Sequence, residues 1–382
     1  MPPSNSLDRP IAQPDARRVR VGIIGTGVGL RTLLPGFAAT EGAEVVGLVG
    51  SSPERTRTFA RDHGLTPYDS ALQLCETANI DLVCVASPNV RHHADVMCAL
   101  DKGKHVLAEK PLAMTREQIV ELIRASQGTT RLAIVDHQLR FNPYLRAIRD
   151  HLASGDIGRP YYLRLHQQGI GFSDTSAPWS WSFDAALGGG VRLAMASHLL
   201  DLVNFFVGPL EVHSVFGGMD AVIDRRQDSA GDKVDVLASS FFSCELAAAN
   251  RLRVHLSATA AAFSEPRFDC EVFGTDGELR FGLSQKLWGS LRASRGKPAE
   301  IPVAGVFSDE AANRVSIFSG SFRYFAPLII AAIRSGERAA VRDASSFPDA
   351  LWTHVLLEAI RESSLTGASV SLKPGYTSSS LI

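Results

Sequence analysis

Residues 19–29 read VRVGIIGTGVG, a short apolar run followed at once by three closely spaced glycines. The run over 19–24 is typical of a buried strand. The turn after it consists of Gly25, Thr26, Gly27, Val28 and Gly29. Glycines here let the backbone turn tightly and approach a pyrophosphate, which the next helix N-terminus stabilises. The turn therefore predicts a dinucleotide-binding loop, although its sixth position is Leu30 and its third glycine comes one place early.

The first third of the chain alternates short apolar runs with amphipathic stretches. The pattern predicts strands at 19–24, 44–49, 82–86, 105–108 and 132–135, with helices at 31–40, 53–63, 92–102 and 115–126. Nearly continuous apolar strands that alternate with helices indicate a parallel sheet covered on both faces. We therefore expect an α/β protein whose N-terminal domain, residues 19–138, is a doubly wound Rossmann domain.

Beyond Arg140 the pattern changes to consecutive strand-like runs joined by short turns such as Thr275-Asp276-Gly277. Runs of this kind predict hairpins and an antiparallel sheet. Residues 139–372 are therefore expected to form an α+β domain for substrate binding and oligomerisation, with a large, open, mainly antiparallel sheet. Residues 1–18 are polar and lack the apolar core of a signal peptide, which predicts a disordered lead-in. Residues 373–382 are expected to be a flexible tail.

The composition is that of an ordinary soluble globular protein. Hydrophobic residues make up 45% and charged residues 21% of the 382 positions, and the formal net charge is −1. We find no basic surface for nucleic acid, no polybasic segment for a membrane and no uninterrupted apolar stretch long enough to span one. The five cysteines are scattered, without the spacing of metal ligands. Reduced thiols, no bound metal and a cytoplasmic location are expected.

The run 104–111, KHVLAEKP, carries a charged Glu109–Lys110 pair from a strand directly into Pro111. Proline disfavours the helical conformation at the residue before it. The ammonium of Lys110 should therefore project from the end of a strand, where open α/β sheets bind their ligands. Taken alone, the run also fits a surface turn with a solvated lysine.

The end of the second predicted strand bears on the choice of cofactor. An NAD-selective site places a carboxylate there to hold the ribose hydroxyls, whereas this chain has Ser51, Ser52 and, in the next helix, Arg55. Small hydroxyls and a guanidinium suit a 2′-phosphate, which favours NADP over NAD. Ser52 also fits a helix N-cap with Glu54 in the first turn, and both roles are compatible.

Several ordered segments together resemble the Gfo/Idh/MocA oxidoreductase family from Val19 to about Leu372. They are the glycine turn, Ser87–His92, Gly103–Pro111, Arg140–Pro143, and Gly188-Gly189-Gly190 through Ser197–Asp201. The resemblance implies a Rossmann domain, a second domain whose open sheet often makes the oligomer contact, and hydride transfer between NAD(P) and sugars, cyclitols or related carbonyl compounds. A homo-oligomer, a dimer or tetramer, is therefore expected.

The resemblance also implies roles for individual residues. Lys110 would lie beside the nicotinamide and the substrate oxygen, and His198 is the acid/base candidate. Further cofactor-binding candidates are Ser87, Pro88, Asn89, His92 and Glu109, and the substrate-binding candidates are Lys110, Arg140, Trp181, Arg192, His198 and Asp201. Trp181 fits either a platform for a sugar ring or a hydrophobic anchor. Arg192 fits either a phosphorylated substrate or a structural salt bridge.

One position departs from the family pattern. The family usually has an aspartate four residues before the histidine, and this chain has Ala194 there. The loss of an anionic neighbour should favour the neutral imidazole of His198. Lys110 would then carry more of the proton transfer, or a tyrosine such as Tyr161 or Tyr162 would assist.

These observations favour an NADP-dependent oxidoreductase that acts on a hydroxyl or keto carbon of a sugar, sugar derivative or cyclitol. Two alternatives stay open. The absence of the aspartate at Ala194 fits a non-catalytic NAD(P)-binding regulator or sensor, which the intact Glu109-Lys110-Pro111 opposes. The same fold also serves redox-neutral NAD-dependent glycosidases, which hold their cofactor tightly.

Overall fold

The computed structural model describes residues 17–208, 210–228, 230–282, 285–294, 296–307 and 316–372. The predicted tail at 373–382 lies outside the described residues, as does the predicted lead-in apart from Arg17 and Arg18. The strands of the first sheet are β1 (Val19–Ile24), β2 (Ala43–Val49), β3 (Thr66–Tyr68), β4 (Leu82–Val85), β5 (His105–Ala108) and β6 (Ala133–Val135). Their spatial order is β3-β2-β1-β4-β5-β6, with every pair parallel. The predicted Rossmann sheet is confirmed.

Five of these strands match the strands predicted from apolar runs, and β3 does not. This strand has the sequence Thr66-Pro67-Tyr68 and lies at the edge of the sheet. Proline cannot donate a backbone hydrogen bond, so such a segment is tolerated at an edge and gives little strand signal in the sequence.

The helices are α1 (Leu34–Ala38), α2 (Pro53–Asp62), α3 (Ala71–Glu76), α4 (His92–Asp101), α5 (Arg116–Ser126), α6 (Pro143–Ser154), α7 (Ser197–Val207), α8 (Ile317–Ser335) and α9 (Phe347–Thr366). Two of them begin irregularly, because π-helical turns at Gly29–Leu33 and Arg192–Ala196 precede α1 and α7. Such turns are frequent at functional sites. Both adjoin segments that the sequence singled out, the glycine turn and the Gly-Gly-Gly run.

The second sheet contains β7 (Pro160–Gln168), β8 (Val212–Asp220), β11 (Phe241–Ala248), β12 (Arg253–Thr259), β13 (Arg267–Gly274), β14 (Gly277–Phe281), β15 (Leu287–Leu291), β16 (Ala299–Ile301) and β17 (Val370–Ser371). Its order is β16-β15-β14-β13-β7-β12-β11-β8-β17, and β9 (Arg225–Gln227) and β10 (Lys233–Asp235) form a separate hairpin. Only β7 and β12 pair in parallel. The expected open, mainly antiparallel sheet is confirmed.

One face of this large sheet packs on α7, α9 and part of α6 in a single apolar core. Ten of the eleven residues of α7 are buried, from Ser197 to Phe206. A helix buried all round is held in one orientation by contacts on every side. The imidazole and carboxylate that α7 carries are therefore presented at defined positions.

The C-terminal helix α8 returns to the first sheet. Phe322, Phe325 and Ile329 join β1 and Phe37 in the Rossmann core, and the rings of Phe141 and Phe325 stack with centroids 4.0 Å apart. By length and composition α8 is also apolar enough to cross a bilayer. Its apolar side chains are used in packing against the sheet, as in the core helix of a globular domain.

We expect Phe325→Ala to destabilise the protein by about 3–5 kcal/mol, because it removes a fully buried ring from the contact between α8 and the first sheet. The measurement is the free energy of unfolding in urea. Phe263, whose side chain is 93% exposed, provides the matched control, and Phe263→Ala should change that free energy by less than about 0.5 kcal/mol. Equal effects of the two changes would show that α8 does not anchor to the sheet in this way.

Candidate active site

Lys110 is the second residue after β5, at the carboxyl edge of the parallel sheet. Its Nζ donates a hydrogen bond of 2.8 Å to the backbone carbonyl oxygen of Ala194, in the π-helical turn before α7. Burial lowers the pKa of Lys110, and the nearby carboxyls of Glu109 and Asp136 act in the opposite direction. The ammonium thus joins the edge of the first sheet to the segment that leads into α7.

His198 occupies the first turn of α7 and is only 3% exposed. Its ring centroid lies 4.8 Å from that of Phe318 and 5.7 Å from that of His137. Burial lowers the pKa of His198 well below its ordinary value, and the charges of Lys110 and His137 lower it further. Lys110 and His198, which lie far apart in the sequence, therefore come together, with the imidazole in its neutral form.

Ala194, which stands where the family usually has an aspartate, contacts Lys110 through its backbone. Ala194 offers no side-chain acceptor, but its carbonyl oxygen receives the hydrogen bond from Lys110. The π-helical geometry of Arg192–Ala196 changes the regular hydrogen-bonding pattern of the first turns. Position 194 therefore contacts Lys110 through a backbone carbonyl dipole and not through a charged side chain.

Asp201 and Arg140 bind each other in the interior. The Oδ2 and Oδ1 atoms of Asp201 accept hydrogen bonds of 2.8 and 2.7 Å from Nε and Nη2 of Arg140. Oδ1 also lies 3.1 Å from Nδ1 of His137 and accepts a 3.0 Å bond from Ser345. Burial by itself raises the pKa of Asp201, but Arg140 and His137 outweigh it and hold the pKa below its ordinary value. Both residues are thus occupied in positioning their neighbours.

Arg192 interacts electrostatically with two charged residues of α9, Arg361 and Glu358. Burial and the charge of Arg361 lower the pKa of Arg192 to about 10, and Glu358 opposes this change. Tyr161 and Tyr162 are not brought to Lys110, because they stand at the start of β7 whereas the far end of that strand approaches Met195.

The glycine turn after β1 is required by a close approach of two backbones. Gly25 has φ of +123°, and a Cβ there would lie 2.0 Å from the carbonyl oxygen of Ala86, after β4. A Cβ on Gly27 would meet nothing within 4 Å. The turn consists of Gly25, Thr26, Val28 and Gly29 together with Gly27. It packs against the sheet at Gly25 and leaves open space above Gly27, at the start of a helical run.

Ser51, Ser52 and Arg55 surround the start of α2. Ser52 N-caps the helix, since its Oγ accepts a 3.4 Å hydrogen bond from the backbone N–H of Arg55, so the capping role is confirmed. Ser51 is exposed, and the exposed Arg55 places its guanidinium 5.8 Å from the ring centroid of Phe59. The hydroxyl of Ser51 and the cation of Arg55 are therefore both available at the end of β2.

The loop after β4 links three parts of the site. Both ring nitrogens of the buried His92 approach carbonyl oxygens, Nε2 that of Ser87 at 2.8 Å and Nδ1 that of Pro111 at 2.7 Å. Asn89, which follows Pro88, donates a 2.7 Å hydrogen bond from Nδ2 to the carbonyl oxygen of Gly188. His92 thus connects two strand ends of the first domain, and Asn89 connects the loop to the second.

Other segments of the chain pass very close to the backbone of the Gly-Gly-Gly run. A Cβ on Gly188 would lie 2.6 Å from Cβ of Asn89, and one on Gly189 would lie 2.3 Å from the carbonyl oxygen of Ser182. The short turn Trp181–Phe183 therefore packs directly on the run, with the indole of Trp181 40% exposed. A side chain at Gly188 would collide with Asn89 of the first domain, and one at Gly189 would collide with the turn of its own domain.

A profile of the Gfo/Idh/MocA oxidoreductase family with an NAD-binding Rossmann fold matches residues 19–137. The profile of the family's C-terminal domain matches residues 145–280. The chain belongs to the Gfo/Idh/MocA oxidoreductase family. The resemblance drawn from the ordered motifs is therefore confirmed over most of the chain.

Named relatives of this family member include sugar-converting enzymes. A 1,5-anhydro-D-fructose reductase from Ensifer adhaerens is 31% identical over 303 residues, 74% of this chain and 83% of the relative. The oxidoreductase cns1 of Cordyceps militaris is 30% identical over 344 residues, 87% of this chain but only 42% of that longer relative. A solved levoglucosan dehydrogenase complex with NADH and levoglucosan superposes with a TM-score of 0.82 over 93% of this chain and 99% of its own, at 22% identity. That last likeness concerns the fold.

The sequence analysis did not identify two buried polar residues of this site, Asp136 and His137. They follow β6 directly and are 0% and 2% exposed. The rule that ligands gather at carboxyl ends of parallel strands, which pointed to Lys110, applies equally to them. Phe318 and Ser345, by contrast, reach the site from α8 and from the segment before α9, and only the tertiary structure brings them there.

We expect Asp201→Asn to lower the free energy of unfolding by about 3 kcal/mol, because it leaves the buried guanidinium of Arg140 without its bidentate partner. Urea denaturation at neutral pH provides the measurement. The matched control is Asp235→Asn, which removes the partner of Arg225 from a pair whose side chains are both 63% exposed. The control should cost less than about 1 kcal/mol. A small effect at Asp201 would contradict its role as the buried partner of Arg140.

Proposed function

We propose that the protein is an NADP-dependent oxidoreductase that transfers a hydride between the nicotinamide and a hydroxyl or keto carbon of a sugar, sugar derivative or cyclitol. The observation that carries the proposal is the convergence of Lys110 and His198 at the carboxyl edge of the parallel sheet. An ammonium and a neutral imidazole from two domains thereby face the edge of the sheet at which the glycine turn lies. The membership in an oxidoreductase family supports the same reading.

The described residues fit a dinucleotide. Gly27 leaves open space above the turn after β1, and the helical run beginning at Gly29 presents its N-terminus there. Exposed backbone N–H groups at such a terminus favour a pyrophosphate. When bound, the nicotinamide supplies or accepts the hydride. Glu109, Ser87 and Pro88, at the ends of β5 and β4, are the residues that would border its ring.

NADP is favoured over NAD by the charges at the end of β2. The strand is followed by Gly50 and Ser51, and no carboxylate stands where the ribose hydroxyls of NAD would be held. The exposed guanidinium of Arg55 is available to pair with a 2′-phosphate in a two-pronged geometry. A solved levoglucosan dehydrogenase of the same fold is a complex with NADH, so in this chain the exposed Arg55 is the proposed determinant of NADP binding.

Lys110 is the proposed catalytic acid and base. Negative charge develops on the substrate oxygen during reduction of a carbonyl, and an ammonium beside it stabilises that charge and then donates a proton. Burial lowers the pKa of Lys110, which brings its proton closer to exchange at neutral pH. Neutral His198 then serves as a hydrogen-bonding partner of the substrate rather than as the main proton donor, consistent with the alanine at position 194.

A sugar-type substrate is supported by the relatives and by the second domain. The anhydrofructose reductase and the levoglucosan dehydrogenase act, by their names, on anhydrosugars. In this chain the partly exposed indole of Trp181 beside the Gly-Gly-Gly run offers a flat apolar surface for the C–H face of a sugar ring. Arg140 and Asp201 contribute by holding His137 and α7 in place.

A cytoplasmic homo-oligomer completes the proposal. All five cysteines are free thiols, which suits a reducing compartment. The face of the large sheet that the helices leave uncovered includes the half-exposed side chains of Phe216, Phe241 and Trp288. Light scattering coupled to gel filtration measures whether the chain assembles as a dimer or tetramer.

Lys110→Ala should reduce kcat for keto-sugar reduction by about 10²–10⁴-fold, the contribution of a positioned proton donor, while the Kd for NADPH changes little. Stopped-flow NADPH oxidation gives kcat, and calorimetry gives Kd. Lys102→Ala, which removes an exposed lysine paired with Glu76, is the control and should leave both unchanged.

If the wild-type protein binds NADPH but turns over no member of a keto-sugar and anhydrosugar panel, the non-catalytic sensor is the better description. Cofactor that co-purifies and is never consumed would favour a redox-neutral glycosidase.

Arg55→Ala should weaken NADPH binding by about 10–100-fold, since a charge-assisted pair with a phosphate contributes roughly 1.5–3 kcal/mol. The Kd for NADH should stay within about twofold, because no 2′-phosphate is present to lose a partner. Arg61→Ala, at the other end of α2 and paired with Asp62, serves as the control. A parallel loss of affinity for both cofactors would show that Arg55 has a structural role.

A further inference from the structure

Two carboxyl groups meet beneath Lys110. β5 and β6 pair in parallel with Ala108 opposite Val135, so the next residues, Glu109 and Asp136, leave the sheet side by side. The backbone N–H of Asp136 donates a 2.7 Å hydrogen bond to the carbonyl oxygen of Ala108, which extends this register by one residue. The two side chains lie close enough for Glu109 to raise the pKa of Asp136. We call them the Glu109–Asp136 pair.

Both carboxyl groups of this pair are buried, and most of their oxygen atoms have no hydrogen-bond donor among the described residues. Asp136 is 0% exposed and Glu109 is 6% exposed. Among the residues that the structure describes, no donor reaches Oε1 of Glu109 or either carboxylate oxygen of Asp136. The remaining oxygen, Oε2 of Glu109, accepts a 3.2 Å hydrogen bond from the backbone N–H of Lys110. Three of the four carboxyl oxygens thus have no donor from the described residues outside the pair.

Two carboxylates in contact cannot satisfy each other, because both only accept hydrogen bonds. Two negative charges at that separation in a buried site also repel each other strongly. A single proton removes both difficulties, since the protonated carboxyl donates to the ionised one. Burial and the neighbouring Glu109 raise the pKa of Asp136 well above its ordinary value, in line with this arrangement.

The surroundings contain few other charges. The thiol of Cys84, on β4, faces the pair, and burial together with Asp136 and Glu109 raises its pKa, so it stays neutral. On the other side stands the ammonium of Lys110, which in turn faces the neutral His198. His137 lies beyond His198, bound to Asp201. Lys110 is thus the charged group on which the pair acts.

We propose that Glu109 and Asp136 share one proton and present a single negative charge to Lys110, so that Asp136 is a positioning residue for the protonation state of that lysine. Two charges would hold the ammonium too firmly for proton transfer. No charge would leave burial unopposed, and burial favours the neutral amine of Lys110. The charge of the pair can be tested by itself, whereas its meaning for catalysis rests on the proposed function.

The experiment uses amide replacements, which keep shape and remove the titrating group. Under the proposal, Asp136→Asn mimics the protonated member and leaves the negative charge of the pair on Glu109, and Glu109→Gln leaves that charge on Asp136, next to Lys110. Each single variant therefore retains one negative charge, and the double variant retains none. The pKa of Lys110 is measured in the full-length protein by competitive labelling with acetic anhydride across a pH series, with the peptide containing Lys110 quantified by mass spectrometry.

Each single replacement should leave the pKa of Lys110 nearly unchanged, and the double replacement should lower it by roughly 1–3, the effect of one nearby opposite charge. Lys102 in the same digests is an internal control, because its partner Glu76 is untouched in every variant. If each single variant lowers the pKa by a comparable step, the pair carries two charges. If even the double variant leaves it unmoved, the pair carries none. Either result overturns the proposal.

A second readout does not depend on labelling. Between about pH 6 and 8 the unfolded chain ionises both carboxyls, whereas the folded pair retains one proton, so folding should take up one proton through this pair. The sign follows from the raised pKa of Asp136: its contribution to stability is full below the unfolded pKa and declines as pH rises toward the folded value. The number of protons taken up on folding, obtained from the pH dependence of the unfolding free energy, should therefore be smaller by one in Asp136→Asn and in Glu109→Gln. An unchanged slope in both variants contradicts the shared proton.

These measurements need no turnover and no cofactor. A protein without sugar reductase activity that nevertheless shows the expected labelling pattern would retain the shared proton and lose the proposed function. An active enzyme in which single replacements shift the pKa of Lys110 would retain the function and lose the shared proton. The pH profile of kcat in Asp136→Asn then gives the link between the two, since a merely structural change would lower kcat without moving its apparent pKa.

Discussion

The hydrogen bond from Lys110 to the carbonyl oxygen of Ala194 connects the two halves of the protein at their chemical centre. The lysine belongs to a strand end of the first sheet and the carbonyl to the turn that begins α7. Because α7 is buried nearly all round, its position depends on the whole second core, and the bond passes that constraint on to the ammonium. The packing of α7 sets the position of His198, and the bond to Ala194 keeps the ammonium of Lys110 close to it.

Close backbone approach is the second constraint, and glycine meets it in both domains. Gly25 touches the strand end at Ala86, and Gly188 touches Asn89 of the loop that follows. Both contacts involve the segment after β4, which therefore lies between the cofactor turn and the second domain. A side chain at either glycine would separate parts that must meet for a substrate to reach a nicotinamide.

Charge in the site is arranged by burial and then balanced locally. Arg140 neutralises Asp201, and the Glu109–Asp136 pair lies under Lys110. His198, with no carboxylate at position 194, stays neutral. In the proposed function, this arrangement leaves Lys110, with the carboxyl pair beside it, as the group that exchanges protons.

The amino-acid sequence by itself determined the parallel sheet, the glycine turn and the position of Lys110, because strand alternation, glycine spacing and the proline after the lysine are local signals. It also predicted the neutral imidazole from the alanine at 194. The sequence did not predict the edge strand at Thr66–Tyr68, because its proline weakens the strand signal. Only the tertiary structure decided that Asp201 is occupied by Arg140, that α8 returns to the first sheet, and that Glu109 lies against Asp136. Those contacts join residues far apart in the chain, and their energies depend on burial, which no local pattern records.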